Sequence, residues 1–576
     1  MRNLFIIVPL FFVLLAILYL FTPVFPGKIS HEVFVDEDVR FFITQYDLEQ
    51  RLDEFIQSPF GQALGGLDID AIGRELGFSQ EQAARVIQLK QEAARTSDDP
   101  LLRVLFGSEA SVALFDFTLT EALPLEAQIF DNLLFISRPQ HSARLMDFAG
   151  WFGLGEDKVG ESRYGGHAIK RFDLEAGRRI SAVRVKDLLV FSFNEQLLRH
   201  SLDIYDTRQQ TLLDSPDYSK LKKSFAGASL FCYLNFIDID QQLQQTTASA
   251  ILPGFLDHGL SLDEMDSLSG YRAGYFGAWK ENDTIVDRAV ISFDPDLLQT
   301  KPHHLTLVEP ALPDSFNRVS GDTIFYYWTN NFDLKRTLAM FAGTESSAAQ
   351  IEANLEGLAQ IIGVTPERLV ELIDSEVTIG IKGIGKNQLV PIPLFLLVLK
   401  SSDMETLQPA VEKLISHFQI PIREKTIGEA EIITWGGMVG MGTVQPSLSF
   451  VGDSLIISSN RTQISEYLSL PEGTGGLAQN NFFMQLEEDL IQPSNFITYL
   501  DFGETITNVK EMVSWGSTML AIKDRETARR SKALTEQLVY PLLDGLAMYS
   551  VIGTRKYIAG DTIVFESTTL LEHGKQ

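Results

Sequence analysis

Apolar and polar positions along this chain follow two different periods. In "SVALFDF" (111–117) and "EVTIGI" (376–381) they alternate residue by residue, as in a strand with one covered face. "AQIFDNLLFISRP" (127–139) and "VPIPLFLLVLKS" (390–401) are fuller apolar runs, which predict strands covered on both faces or at a covered edge. Helical spacing follows each run, in "SARLMDFAGWF" (142–152) and in "DMETLQPAVEKLISHF" (403–418), the latter with Asp403 placed as a cap. "FSQEQAARVIQLKQEAAR" (78–95) opens with Ser79 and Gln82 at capping-box spacing, and the helical "AAQIEANLEGLAQII" (348–362) is its analogue later in the chain. Hairpins interleaved with helices predict an α+β fold with antiparallel sheets, not a doubly wound parallel sheet.

The pattern occurs twice. "SAVRVKDLLVFSFN" (181–194) lies over "SLSFVGDSLIISSN" (447–460) at a shift of 266 positions, and at the same shift "YLNF" (233–236) lies over "YLDF" (499–502). "SEASVALF" (108–115) matches "SEVTIGIK" (375–382) at a shift of 267. "FFITQYDLEQRL" (41–52) resembles "YYWTNNFDLKRTL" (326–338) with one insertion, aligning Phe41 with Tyr326. Finally, Asp-Thr-Ile-Val opens the last strand of each half, in "ENDTIVDRAVISF" (281–293) and "AGDTIVFESTTLL" (559–571). Five matches in one order predict a duplication. The expected organisation is an apolar N-terminal segment at 1–27, a first α+β unit at 35–293, a linker at 294–318 and a second unit at 319–571. The linker assignment rests on Pro295, Pro302, Pro310 and Pro313 without periodicity.

The N-terminal segment carries no charge from Asn3 to Gly27, and Leu4–Phe25 is long enough to cross a hydrocarbon core of ~30 Å as a helix. Bulky Phe21, Val24 and Phe25 stand where a cleavable signal needs small residues, so the expectation is an uncleaved transmembrane anchor. With Arg2 before the segment, the body falls outside the cytoplasm: a single-pass protein of the inner (cytoplasmic) membrane, with its bulk periplasmic or extracellular.

These features together resemble the membrane-anchored bacterial proteins filed under domain of unknown function 3352. The resemblance is carried by the anchor, the Ser-Glu strand, the Val-x-Asp turn before a Ser-x-Asn strand, and the Tyr-Leu-Asn/Asp-Phe strand. It implies the same layout over most of the chain after the anchor, and brings no activity or site residue with it.

Charge narrows the partners. Asp and Glu outnumber Lys and Arg 76 to 48, for a net charge of −28, which repels phosphate backbones and excludes nucleic acid as the expected partner. The single cysteine, Cys232, rules out an internal disulfide and a cysteine-based metal cluster. Its spacing with Leu230, Leu234 and Phe236 places it on the apolar face of a strand, as a core filler and not a nucleophile.

Other candidate motifs fall short of a chemistry. "GIKGIGKN" (380–387) has the glycine and Lys386 spacing of a phosphate loop, but Asn387 stands where Ser or Thr would hold the metal, and a strand follows where a helix should. His303 and His304 read as exposed linker residues, and His167, which Glu429 replaces in the second half, as a turn residue. "LDID" (67–70) and "FIDID" (236–240) lack the further ligands of a calcium loop. No Gly-x-Ser-x-Gly or His-Glu-x-x-His motif occurs. "ITNVKEMVSWGSTMLAIK" (506–523) is the most apolar helical stretch outside the anchor, and the expectation is that it buries its apolar face in its own core.

The sequence therefore predicts a tethered binding or scaffold protein with no cofactor, no metal and no identified catalytic residue. Its partners would be the membrane, through the N-terminal helix, and a protein or apolar ligand. A carrier of lipid or another apolar ligand, and a hydrolase with dispersed active-site residues, stand as alternatives. An enzyme would show converging polar groups in one pocket, and a carrier a sizeable apolar cavity.

Overall fold

The computed structural model describes residues 29–98, 108–116, 125–139, 159–173, 179–237, 270–299, 308–332, 334, 337, 345–373, 376–384, 391–427, 430–435, 445–470 and 476–572. The expected anchor, the helix expected at 142–152, His303, His304 and Lys386 lie outside these residues. Among the described residues no helix is long and apolar enough to cross a membrane. The chain divides into two compact units. The first holds the described residues up to 280 together with 287–298; the second holds 281–286, 299 and the described residues from 308 onward.

The first unit is built on β1 (Phe41–Tyr46), β2 (Glu109–Leu114), β3 (Leu133–Arg138), β4 (Val159–Tyr164), β5 (His167–Asp173), β6 (Arg179–Val185), β7 (Leu188–Ser192), β8 (Leu230–Asn235), β9 (Tyr271–Glu281) and β10 (Thr284–Phe293). Neighbours run β4-β5-β6-β7-β3-β2-β1-β8-β9-β10, and every ladder from β4 to β9 is antiparallel. The second unit uses β11 (Phe325–Thr329), β12 (Val377–Ile384), β13 (Pro393–Lys400), β14 (Ile422–Ile427), β15 (Ala430–Trp435), β16 (Ser447–Val451), β17 (Ser454–Ser458), β18 (Phe496–Asp501), β19 (Tyr549–Ala559) and β20 (Thr562–Leu571). Its antiparallel order is β14-β15-β16-β17-β13-β12-β11-β18-β19-β20. With helices between the hairpins, the fold is α+β.

Several short motifs have direct structural reasons. The Val-x-Asp turns place Lys186 (φ 53°) and Gly452 (φ 60°) in the left-handed region that a tight two-residue hairpin requires. Val185 pairs with Leu188 and Val451 with Ser454 across those turns. In Ser-x-Asn, the hydroxyls of Ser192 and Ser458 donate to Leu133 O (2.8 Å) and Phe395 O (2.7 Å), and each accepts the amide of the asparagine two residues on, at 3.1 Å. Asn194 and Asn460 then cap the helices Glu195–Thr207 and Arg461–Ser469. Asn282 (φ 54°) and Gly560 (φ 62°) make the turns that lead into the Asp-Thr-Ile-Val strands. Ser79 and Gln82 form the expected capping box (2.9 and 3.2 Å), and Asp403 caps Met404–His417.

Other expectations are corrected. The run 127–139 is not one strand: Leu125–Asp131 is helical, and β3 begins only at Leu133. A continuous apolar run has no period with which to separate the two states. The buried face of β8 is Phe231, Tyr233 and Asn235, so Cys232 and Leu234 lie on the less covered face; β18 likewise buries Ile497, Tyr499 and Asp501. Phe42 pairs with Tyr233 and Tyr326 with Tyr499, so Phe42, not Phe41, holds the position of Tyr326. The proline-rich stretch expected as linker ends inside the second unit, where the 3₁₀ helix Asp314–Asn317 buries Ser315 and Phe316. The matching 3₁₀ turn in the first unit, His31–Phe34, buries His31, Glu32 and Phe34 ahead of the expected boundary at Val35.

Candidate functional site

A buried polar cluster gathers around the His31–Phe34 turn of the first unit. His31 is 1% exposed, and its Nδ1 lies 2.7 Å from Ser111 Oγ on β2, which in turn lies 2.7 Å from Thr44 Oγ1 on β1. On the other side of the ring, Nε2 is 3.7 Å from Glu109 Oε1 and has no hydrogen-bond partner. Glu109 accepts from Arg138 Nε at 2.8 Å, and Arg138 also pairs with Asp187 of the Val-x-Asp turn and donates to Ile29 O at 2.6 Å. Glu32, equally enclosed, accepts from Tyr218 OH (2.8 Å), pairs with Lys222 Nζ (3.2 Å) and accepts from Ser30.

Electrostatics fixes the charge states. Burial, reinforced by the Arg138 guanidinium, presses the His31 imidazole down to about 3, so it is neutral. Burial alone would raise Glu32, but Lys222, the Ser30 hydroxyl, its own amide and Tyr218 outweigh it and hold the carboxylate at about 2. Burial, with Glu109 and Glu32 nearby, pushes the Tyr46 phenol above its ordinary range.

Ser111, His31 and Glu109 together have the residue types of a hydrolase triad, in an order no local motif reveals. The geometry does not work as one. A nucleophilic serine must face a carbonyl carbon, with oxyanion donors about 3 Å away. Ser111 is 2% exposed in the middle of a paired strand, and its oxygen is already shared between His31 and Thr44. What the cluster does is fasten residues 29–34 to β1, β2, β3 and the helix Pro216–Lys222. The second unit has its own version. Ser315 Oγ meets Tyr326 OH (2.7 Å) and Thr378 Oγ1 (3.0 Å), while Glu376 binds Trp328 Nε1 (2.9 Å) and Lys400 Nζ (2.8 Å).

The remaining candidates are dispersed. His167 follows the Gly165–Gly166 turn and meets Asp206 at 3.0 Å, which fastens the β4–β5 hairpin to the helix Glu195–Thr207. Gly380 lies inside β12, paired with Tyr326 and Leu396, and the next described element is the strand β13 and not a helix. Asp68 caps the helix Ile69–Leu76. Burial raises the Cys232 thiol to about 11, far from a reactive thiolate, and Thr498 holds the corresponding place on β18. Among the described residues no three of His, Cys, Asp and Glu are placed to hold a metal ion. A water-sized cleft in the second unit, about 10 Å³, is lined by Arg318, Lys382, Gln463, Glu466 and Tyr467 among others, with Lys382 bound to Glu466 at 2.6 Å.

No protein-family model and no curated protein matches the chain. A solved structure titled "Structure of crystal form I of TP0453" is similar at 8% identity, covering 50% of this chain and 90% of its own, with a TM-score of 0.23.

The expectation for 506–523 holds for its first half and fails for its second. The helix Phe502–Lys523 buries Ile506, but no described side chain from Glu511 to Ile522 is buried, and Met512, Met519, Leu520 and Ile522 are exposed. Apolar content told where a helix would form, not whether a sheet would reach far enough to cover it.

Proposed function

We propose that the chain is a membrane-tethered extracytoplasmic binding or scaffold protein made of two copies of one α+β unit. The observation that carries the duplication is the shared ladder order with matched register: Ser181 pairs with Ser192 as Ser447 pairs with Ser458, and Phe42 with Tyr233 as Tyr326 with Tyr499. The tether rests on the apolar stretch Leu4–Phe25. The cluster around His31 supports it mechanically, because a chain leaving a membrane helix would enter a rigid body within a few residues. The resemblance to the anchored family of domain of unknown function 3352 points the same way.

The polar groups favour a scaffold over a hydrolase, since the nearest approach to a triad is sealed and serves the fold. The described cleft, about 10 Å³, has room for a water molecule and not for an apolar cargo. Protease added from the periplasmic side, with mass measurement of the mature N-terminus, tests the tether. A full-length, membrane-fractionating chain whose body is digested is expected. A mature chain beginning near Lys28, or a body protected in intact spheroplasts, would overturn it.

A further inference from the structure

The helix Phe502–Lys523 stands on Asp501, which caps it directly after β18. Its first turns pack on the sheet. Its second half carries Met512, Met519 and Ile522 on one narrow stripe, with Trp515 between them half-buried and its Nε1 covered. Met512 and Met519 are each 42% exposed, and Ile522, near the tip, is 77% exposed. After Asp524 the chain folds back as the helix Arg525–Leu534, which packs against the first helix and buries Ala528. Arg525, Arg529, Arg530 and Lys532 of this second helix are all exposed, against one acid, Glu526, leaving it net +3 in a chain of net −28.

We propose that this helical hairpin docks by its tip on a bilayer surface containing anionic lipid. An exposed apolar stripe of methionine and isoleucine beside a basic helix is a composition that seats in a headgroup layer: the aliphatic and thioether groups enter the acyl boundary and the cations meet lipid phosphates. The basic charge is local, so the rest of the body, which anionic lipid repels, stays off the surface. A second copy of this chain is a poorer occupant. Stable pairing needs about 800 Å² from each partner with matched shape, whereas a fluid headgroup layer accepts a narrow protruding tip. The proposal extends the tethered reading above, but its test reads only the hairpin.

The test uses the full chain with Cys232→Thr, the residue β18 carries at that place, and Ile522→Cys labelled with an environment-sensitive fluorophore. The protein is incubated with, or reconstituted into, phosphatidylcholine vesicles with and without phosphatidylglycerol. With phosphatidylglycerol, emission should shift to the blue and brominated lipid should quench it about twofold or more, and raised salt should reverse both. The combined Arg525→Glu, Arg529→Glu and Arg530→Glu change should abolish the response, while a label at Glu412→Cys should remain in water. A label at 522 that stays in water on both vesicles overturns the proposal. So does equal shielding on neutral and anionic vesicles, or shielding without lipid accompanied by a doubled mass, which would assign the tip to a second copy. None of these outcomes depends on whether residues 4–25 hold the chain in a membrane.

Discussion

His31 Nδ1 lies 2.7 Å from Ser111 Oγ with both residues almost fully enclosed, and in the second unit Ser315 and Thr378 meet at 3.0 Å. A histidine held neutral this deeply makes stability depend on pH. In the unfolded chain it takes up a proton near 6.5, in the folded chain only near 3. Between those values the unfolded state binds more protons, so stability falls as pH drops from 6.5 towards 3. Glu32 adds a loss of the same sign from about 4.5 towards 2. Denaturant melts at pH 7 and at pH 4.5 should show the parent losing about 2–3 kcal/mol more than His31→Gln over that interval, at ~1.4 kcal/mol per unit. An equal loss in both proteins would mean that His31 is not the titrating group.

Buried Glu32 accepts from Tyr218 and pairs with Lys222, which is a quarter exposed and lies over Phe231, whose ring centre is 3.7 Å from Lys222 Nζ. Removing the cation leaves the buried Glu32 carboxylate with only the Tyr218 and Ser30 hydroxyls as partners. Lys222→Met should therefore cost about 3–5 kcal/mol, and adding Glu32→Gln should recover most of it, because the charge then needs no partner. Urea unfolding of the parent, both single variants and the double variant measures this. A double variant no more stable than Lys222→Met would show that packing over Phe231, not charge, sets the cost.

Gly476 has φ +77°, and a Cβ there would stand 2.6 Å from Val319 O and 2.7 Å from Asn317 O, all of them backbone atoms that have nowhere to go. Leu477 N donates to Val319 O at 2.7 Å, so this contact also holds the entry of the second unit. Gly476→Ala should destabilise by more than the ~1 kcal/mol of an ordinary glycine replacement. Gly452→Ala is the control, with φ +60° but open space around it. Thermal melts that rank Gly452→Ala as the worse change would remove the argument from close approach.

Much of the fold was legible because local chemistry decides it. Ser79, Asp403, Asn194 and Asn460 cap helices through their own side chains, and the two Val-x-Asp turns need a left-handed residue wherever they occur. The sheet face of β8 was not legible: Cys232, Leu234 and Phe236 are apolar, but so are Phe231 and Tyr233, and only the covering helix Pro216–Lys222 decides between them. The His31 cluster was hidden for a related reason. Ser111 is 80 positions from His31, and the repeated Ser-Glu strand that holds it reads as structural, not as a chemistry. For 506–523, composition predicted the helix correctly, but cover is a tertiary property that composition does not carry.

The last prediction concerns which face of the matched strands holds each unit together. Tyr233 is set edge-on against Tyr218 at 5.1 Å, and Tyr499 edge-on against Phe483 at 5.4 Å, so each unit packs a strand tyrosine on a helical aromatic. Ser215 and Asn480 cap the short helices that carry those aromatics. Leu234 and Leu500 face the other way and are only half-buried. Tyr233→Ala and Tyr499→Ala should each cost about 3–5 kcal/mol, and Leu234→Ala and Leu500→Ala about half as much or less. Hydrogen exchange should localise each tyrosine effect, to β1, β8 and β9 for Tyr233 and to β11, β18 and β19 for Tyr499. If the leucine changes prove the more damaging, the buried face has been assigned to the wrong side. If Tyr233→Ala and Tyr499→Ala differ in kind, one loosening its sheet and the other not, the two strands do not play one role and the case for a duplicated unit fails.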